Sequence, residues 1–161
     1  MSKSIDEMEA RANAAARALM GGVAWPTVFL GVACLAIFFS SLIFAAIGAI
    51  PLWAAAIGVI STVYAGLAVL HEAVHGSING VDRSRRWLND LVAFAIAQIL
   101  GVAYTAHKQE HLTHHRTTNV KGEDPDLGLV AGGAAGLIKG AFMAVPMHVE
   151  FYLKHRWRMA P

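Results

Sequence analysis

Charge is what this sequence has least of. Asp, Glu, Lys and Arg make up 15% of its 161 residues, against about a quarter in soluble domains, while apolar residues reach 56%. Between residues 18 and 70 no charged side chain occurs at all. That scarcity excludes an ordinary soluble surface and makes a membrane protein the first expectation. Cysteine occurs once, at Cys34 within that apolar run, so an internal disulfide is impossible and core packing is its expected role. A net charge of +2 is too small and too scattered to attract nucleic acid, and none is expected as a partner. No glycine-rich phosphate loop and no aromatic–basic RNA motif is present. Flavin, haem and iron–sulfur motifs are missing too.

A helix needs about 20 apolar residues to cross a bilayer, so the uncharged run is too long for one span and suits two. The stretch GAIP, Gly48 to Pro51, supplies the break between them. The expected helices are 25–46 and 52–71. A signal peptide is the competing reading of the first span; more than twenty residues precede Trp25, among them Asp6, Glu7 and Glu9, which argues against it. Residues 1–22 place Ser4 and Glu7 at capping-box spacing before strong helix formers, and read as a short helix on the membrane surface. Lys3, Arg11 and Arg17 precede the hairpin, Arg83, Arg85 and Arg86 follow it, and its turn has no basic residue. Both ends are therefore expected on the cytoplasmic side, with the three later arginines serving topology and headgroup contact rather than docking.

Two later segments are ambiguous by hydropathy. Residues 91–106 are uncharged but short for a crossing and include Gln98; residues 127–147 are long enough but contain Lys139 and five glycines.

The chain has eight histidines, and four of them fall in HKQEHLTHHRTTN, residues 107–119. His107, His111, His114 and His115 stand at i, i+4, i+7 and i+8, which places them on one side of a helix. Upstream, where the second helix leaves the membrane, HEAVHG sets His71 and His75 four residues apart on one face. Packed together without a metal, six such imidazoles would repel when protonated and lack partners when buried and neutral. A metal resolves both problems. Catalytic zinc takes three protein ligands and structural zinc four, so six donors favour a two-metal site; iron, zinc, copper and nickel all suit nitrogen ligands. His148 and His155 show no such pattern and read as hydrogen-bonded or interfacial residues. For the two groups to share a site, residues 91–106 must re-enter or lie along the surface and return to the face they left.

HEAVH also matches the zinc-protease motif HExxH, in which two histidines bind zinc and the glutamate activates water. That reading leaves the HLTHH cluster unexplained. HEAVHG, then RRWLND, then HLTHH and RTTNVKGEDPD together resemble the membrane-bound fatty acid desaturase superfamily over roughly residues 63–127. The resemblance implies an all-α integral membrane protein, a transmembrane helical hairpin plus cytoplasmic-side or interfacial helices carrying histidine boxes. It implies two iron ions and O2 as co-substrate, with His71 and His75 as the first box and His111, His114 and His115 as the second. His107 lies outside the family's usual second box and reads as a further ligand, as a residue behind the ligands or as an interfacial histidine. Glu72 could hold a ligand imidazole in its metal-binding tautomer or be a solvated carboxylate at a helix end. Asp124 and Asp126, flanking Pro125, resemble the family's DPD and would orient a ligand or form a plain turn.

A late H-x-x-HH box is absent from the sequence, so the chain is expected to be the N-terminal half of a desaturase-like domain. Residues 1–161 then form one domain: surface helix 1–22, transmembrane hairpin 24–71, boxes one and two 71–126, and an interfacial or membrane segment 127–161. The implied activity is O2-dependent oxidation of a membrane lipid or acyl chain, with an external ferredoxin- or cytochrome b5-like electron donor. Carotenoid or other lipid hydroxylation or ketolation is the nearest alternative. A zinc membrane metalloprotease, or an inactive truncated metal-binding protein, is the alternative from another class.

Overall fold

The computed structural model describes residues 2–19, 21–121 and 123–126, with isolated positions between 133 and 153. The expected segment 127–161 and both His148 and His155 lie essentially outside the described residues. Among the described residues the structure is helical and contains no strand. Helix α1 runs over Ser2–Leu19, α2 over Trp25–Ala46, α3 over Leu52–Val74, α4 over Trp87–Leu100 and α5 over Tyr104–Thr117; a 3-10 turn at Arg83–Arg85 precedes α4. Because α1 begins at Ser2, Ser4 lies within the helix and not at its cap.

Helices α2 and α3 are each long and apolar enough to cross a bilayer. Pro26 occupies the first turn of α2, where its missing N–H would be unsatisfied anyway. The helix stops at Gly48, whose φ of 71° an L side chain adopts reluctantly. There the Gly48 N–H reaches Ala45 C=O at 3.1 Å and the Ala49 N–H reaches Phe44 C=O at 2.8 Å, the paired bonds of a Schellman stop. Pro51, extended at ψ 152°, then starts α3. The same device ends α3: Gly76 sits at φ 71°, its N–H bonds Ala73 C=O at 3.0 Å, and Ser77 N–H bonds Glu72 C=O at 3.0 Å.

The chain divides into two compact units, Met1–Gly101 and Val102–Pro161. In the first, α4 packs against both helices of the hairpin around Val69, Leu70, Ala73, Ile78, Ala93, Ile96 and Ala97, all buried. Glycines permit the close approach. A Cβ on Gly31 would stand 3.4 Å from Val69 and 3.6 Å from Val92, and one on Gly66 would stand 3.4 Å from Ile96 and 3.5 Å from Leu100. Small residues at such crossings let helix backbones come together in a membrane.

These contacts also fix how far α4 reaches. Its 14 residues extend about 21 Å, against roughly 30 Å of hydrocarbon. Its last residue, Leu100, lies against Gly66, about 12 Å along α3 from the end of that helix. So α4 descends only part of the hairpin and stops at Gly101, in the left-handed conformation at φ 68°. The uncharged run 91–106 is thus divided between two helices, with a break between Leu100 and Tyr104.

Candidate metal centre

His71 lies in the last turn of α3 and His75 is its C-cap. One helical turn apart, their rings meet with centroids 4.6 Å apart. Ala73 and Val74, between them, are buried, so the packed face of the turn is anchored while both histidines stay exposed. Glu72 is exposed as well; its backbone carbonyl serves the Schellman stop.

In the second unit the imidazoles line α5. His107 and His111 stack with centroids 5.9 Å apart and planes 17° from parallel. His111 and His115 meet at 4.6 Å, and His115 touches His114 at 5.7 Å. The two Nε2 atoms of His111 and His115 are 3.1 Å apart. Two nitrogens each about 2.1 Å from one ion, at tetrahedral or right angles, stand roughly 3.0–3.4 Å apart, so this pair already has the spacing of two ligands to a common metal. Thr113, Thr117 and Thr118 direct their hydroxyls to the carbonyls of Gln109, Thr113 and His114 at 2.8, 2.9 and 2.6 Å, each bonding back to the carbonyl four residues earlier.

His114 has a different partner. Its Nδ1 donates to Asp124 Oδ1 at 2.8 Å, with Asp126 Oδ2 farther off at 3.7 Å. The Asp124 side chain is 2% exposed, and it also accepts the N–H groups of Asn119 at 2.7 Å and Asp126 at 2.9 Å. Asn119 reaches that bond from φ 64°, a conformation asparagine tolerates better than most residues. The hydrogen bond from His114 is the main reason the Asp124 carboxyl titrates below its ordinary range, aided by the two backbone donors. The same bond is the main reason the His114 imidazole is pushed above its ordinary value, with the charge of Asp126 adding to it. With Nδ1 carrying the proton, neutral His114 has its lone pair on Nε2, the form in which a metal-binding histidine is usually held by a carboxylate.

The sequence-expected residues therefore stand as follows. His71 and His75 form one pair; His107, His111, His114 and His115 form a continuous row; Asp124 and Asp126 both face His114. Sequence reasoning missed two buried groups. Glu110 is 5% exposed on α5, immediately before His111; a carboxylate inside the run QEHLTHH was the available signal. Asn79 and Asn89 are also buried, and nothing in their local sequence separates them from ordinary loop and helix-start asparagines.

A family model described as fatty acid desaturase matches residues 46–161, most of the chain. The chain belongs to the fatty acid desaturase family. The match takes in HEAVH and HLTHH together, which the zinc-protease reading of HEAVH alone does not. Membership places the chain in an oxidoreductase superfamily that is membrane-associated and usually metal-dependent. Comparison with curated proteins and with solved structures found no match.

Proposed function

We propose that this protein is an O2-dependent oxidoreductase of membrane lipids, acting on an acyl chain as a desaturase with a histidine-held pair of irons. The observation that carries the reading is the coincidence of the family match with the His111–His115 pair at ligand spacing. In this reading His71 and His75 from the end of α3 and His111 and His115 from α5 would together supply the donors, and neutral imidazole is the commonest protein metal ligand. His114 joins them through Nε2, and His107, stacked on His111, supports the row or adds a ligand.

When bound, the metal pair would supply the oxidising power that an unactivated C–H bond requires and that side-chain acid–base chemistry lacks. The protein's part is positional. Asp124 holds the proton of His114 on Nδ1. Gly76 ends α3 just past the two imidazoles of box one and turns the chain away from them. The balance of desaturation calls for an outside partner: the acyl chain yields two hydrogens, a ferredoxin- or cytochrome b5-like donor yields two electrons, and O2 leaves as two waters with two further protons from solvent. A site on the cytoplasmic face of the hairpin suits both partners, since the acyl chain arrives from the bilayer and the donor from the aqueous side.

The test is metal analysis and lipid profiling of the full-length protein supplied with O2 and a reduced donor. Bound iron and new unsaturation, both lost in His111→Ala, are expected. Altered carotenoids without new unsaturation would move the substrate to the hydroxylase or ketolase class. One zinc per chain, with proteolysis blocked by Glu72→Gln and indifferent to His114→Ala, would overturn the proposal.

A further inference from the structure

The loop after box one is built to a single shape. Asn79 and Asn89 are both buried, and the Asn89 amide nitrogen donates to Asn79 Oδ1. Asn89 Oδ1 accepts the Ile78 N–H at 3.0 Å, while Asn79 Nδ2 donates to the carbonyls of Gly80 and Asp82, each at 2.9 Å. Asp82 caps the 3-10 turn, accepting from the Ser84 N–H at 2.9 Å and its hydroxyl at 2.6 Å, and pairs with Arg85 at 3.0 Å. Gly80, at φ 58°, lies so close to the entering chain that a Cβ would fall 2.3 Å from the carbonyl oxygens of both Gly21 and Gly22.

The inner side of this loop is thus occupied by amides bonded to one another and to backbone. Its outer side carries Arg83, Arg85 and Arg86, all exposed, between Val81 at 58% and Trp87 at 57% exposure. Cations set beside an exposed indole and an exposed valine match a surface that is anionic at one depth and apolar just below it. A phospholipid layer has that profile, and tryptophan and arginine are enriched at its boundary. An acidic protein would also complement the arginines, but the level of the loop favours lipid. The Ala24 N–H bonds Ile78 C=O at 2.9 Å and the Val81 N–H bonds Gly21 C=O at 3.3 Å. The loop is therefore stitched to the residues entering α2, at the open end of the hairpin, where α3 has just ended.

We propose that residues 81–87 form a preshaped binding surface for anionic phospholipid headgroups. Arg83 and Arg86 engage the phosphate, Arg85 is held to Asp82, and Val81 and Trp87 enter the acyl boundary. The proposal uses none of the histidine residues and stands whether or not the proposed reaction does.

The test uses the full-length protein in nanodiscs of phosphatidylcholine doped with phosphatidylglycerol, with retained lipid measured by mass spectrometry at low salt. The wild type should enrich phosphatidylglycerol over its bulk fraction. Each charge removed in Arg83→Gln/Arg86→Gln should reduce that enrichment by about fivefold, the factor that corresponds to ~1 kcal/mol per basic residue at an anionic surface. The charge-conserving Arg83→Lys/Arg86→Lys should retain it, and unchanged circular dichroism of both variants separates loss of charge from loss of fold. No enrichment in the wild type, or enrichment that survives Arg83→Gln/Arg86→Gln, overturns the proposal. Displacement of the lipid by millimolar inorganic phosphate does so as well, since that marks a small-anion site. So does lost binding of an acidic donor protein in the glutamine variant with lipid enrichment intact.

Discussion

His114 and Asp124, ten residues apart, are joined by a 2.8 Å hydrogen bond from Nδ1 to Oδ1, and the same carboxylate gathers two backbone N–H groups of the loop between and beyond them. One side chain thus sets the tautomer of a box-two histidine and the path of the chain after α5.

The first prediction concerns protonation. The raised His114 value means that its charged form stabilises the fold, a contribution fully present below the ordinary histidine value of about 6.5 and lost as pH rises through the raised one. The lowered Asp124 value has the opposite sense. Its contribution is present above about 3.9 and lost as pH falls through the lowered value, so the couple is strongest between these limits. In metal-free protein, nitrogen NMR should find His114 titrating high, and Asp124→Asn should return it toward the ordinary value. An unchanged His114 titration in that variant would refute the coupling.

Metal affinity should respond to the same residue. Removing a carboxylate that orients a ligand histidine typically weakens binding 10–100-fold. Asp124→Ala is expected to show a loss of about that size in competition against a chelator. Equal affinity would remove Asp124 from any ligand-orienting role.

Stability at the head of the hairpin should depend on the buried amides. Asn89→Ala removes the acceptor of the Ile78 N–H and the donor to Asn79 Oδ1 and should cost about 1–3 kcal/mol. Gly80→Ala adds a Cβ facing two carbonyls at positive φ, and should cost at least as much. Denaturation in detergent measures both. If the Asn79→Ala/Asn89→Ala double variant lost the full sum of the single losses, the two residues would be energetically independent, contrary to their direct bond.

Topology can be read by labelling. In a Cys34→Ala background, Ser77→Cys and Thr118→Cys should both react with a membrane-impermeant thiol reagent added from the cytoplasmic side, and neither from the other. Labelling from opposite sides would mean that the histidine groups cannot share a centre.

The hairpin was legible because both of its signals are local. A stretch free of charge marks lipid, and Gly48 and Pro51 break a helix wherever they occur, so α2 coincides with the expected 25–46. The second boundary differs: α3 continues to Val74, three residues beyond the expected end at His71. Hydropathy reports where the apolar run ends, whereas the helix ends where Gly76 can turn left-handed. The run 91–106 was ambiguous for a related reason. Its composition is uniform, and only Gly101, together with Leu100 against Gly66, divides it.

By itself, the sequence determined that a membrane hairpin forms and that imidazoles recur at helical spacing, because apolar runs and i, i+4 periodicity act over a few neighbouring residues. Tertiary structure alone decided that α4 stops partway down the hairpin, that Asn79 meets Asn89, and that Asp124 bonds His114. Each of these depends on the path a loop or a packed helix takes before returning, and that path is set by many weak contacts summed over the fold, which no single spacing encodes.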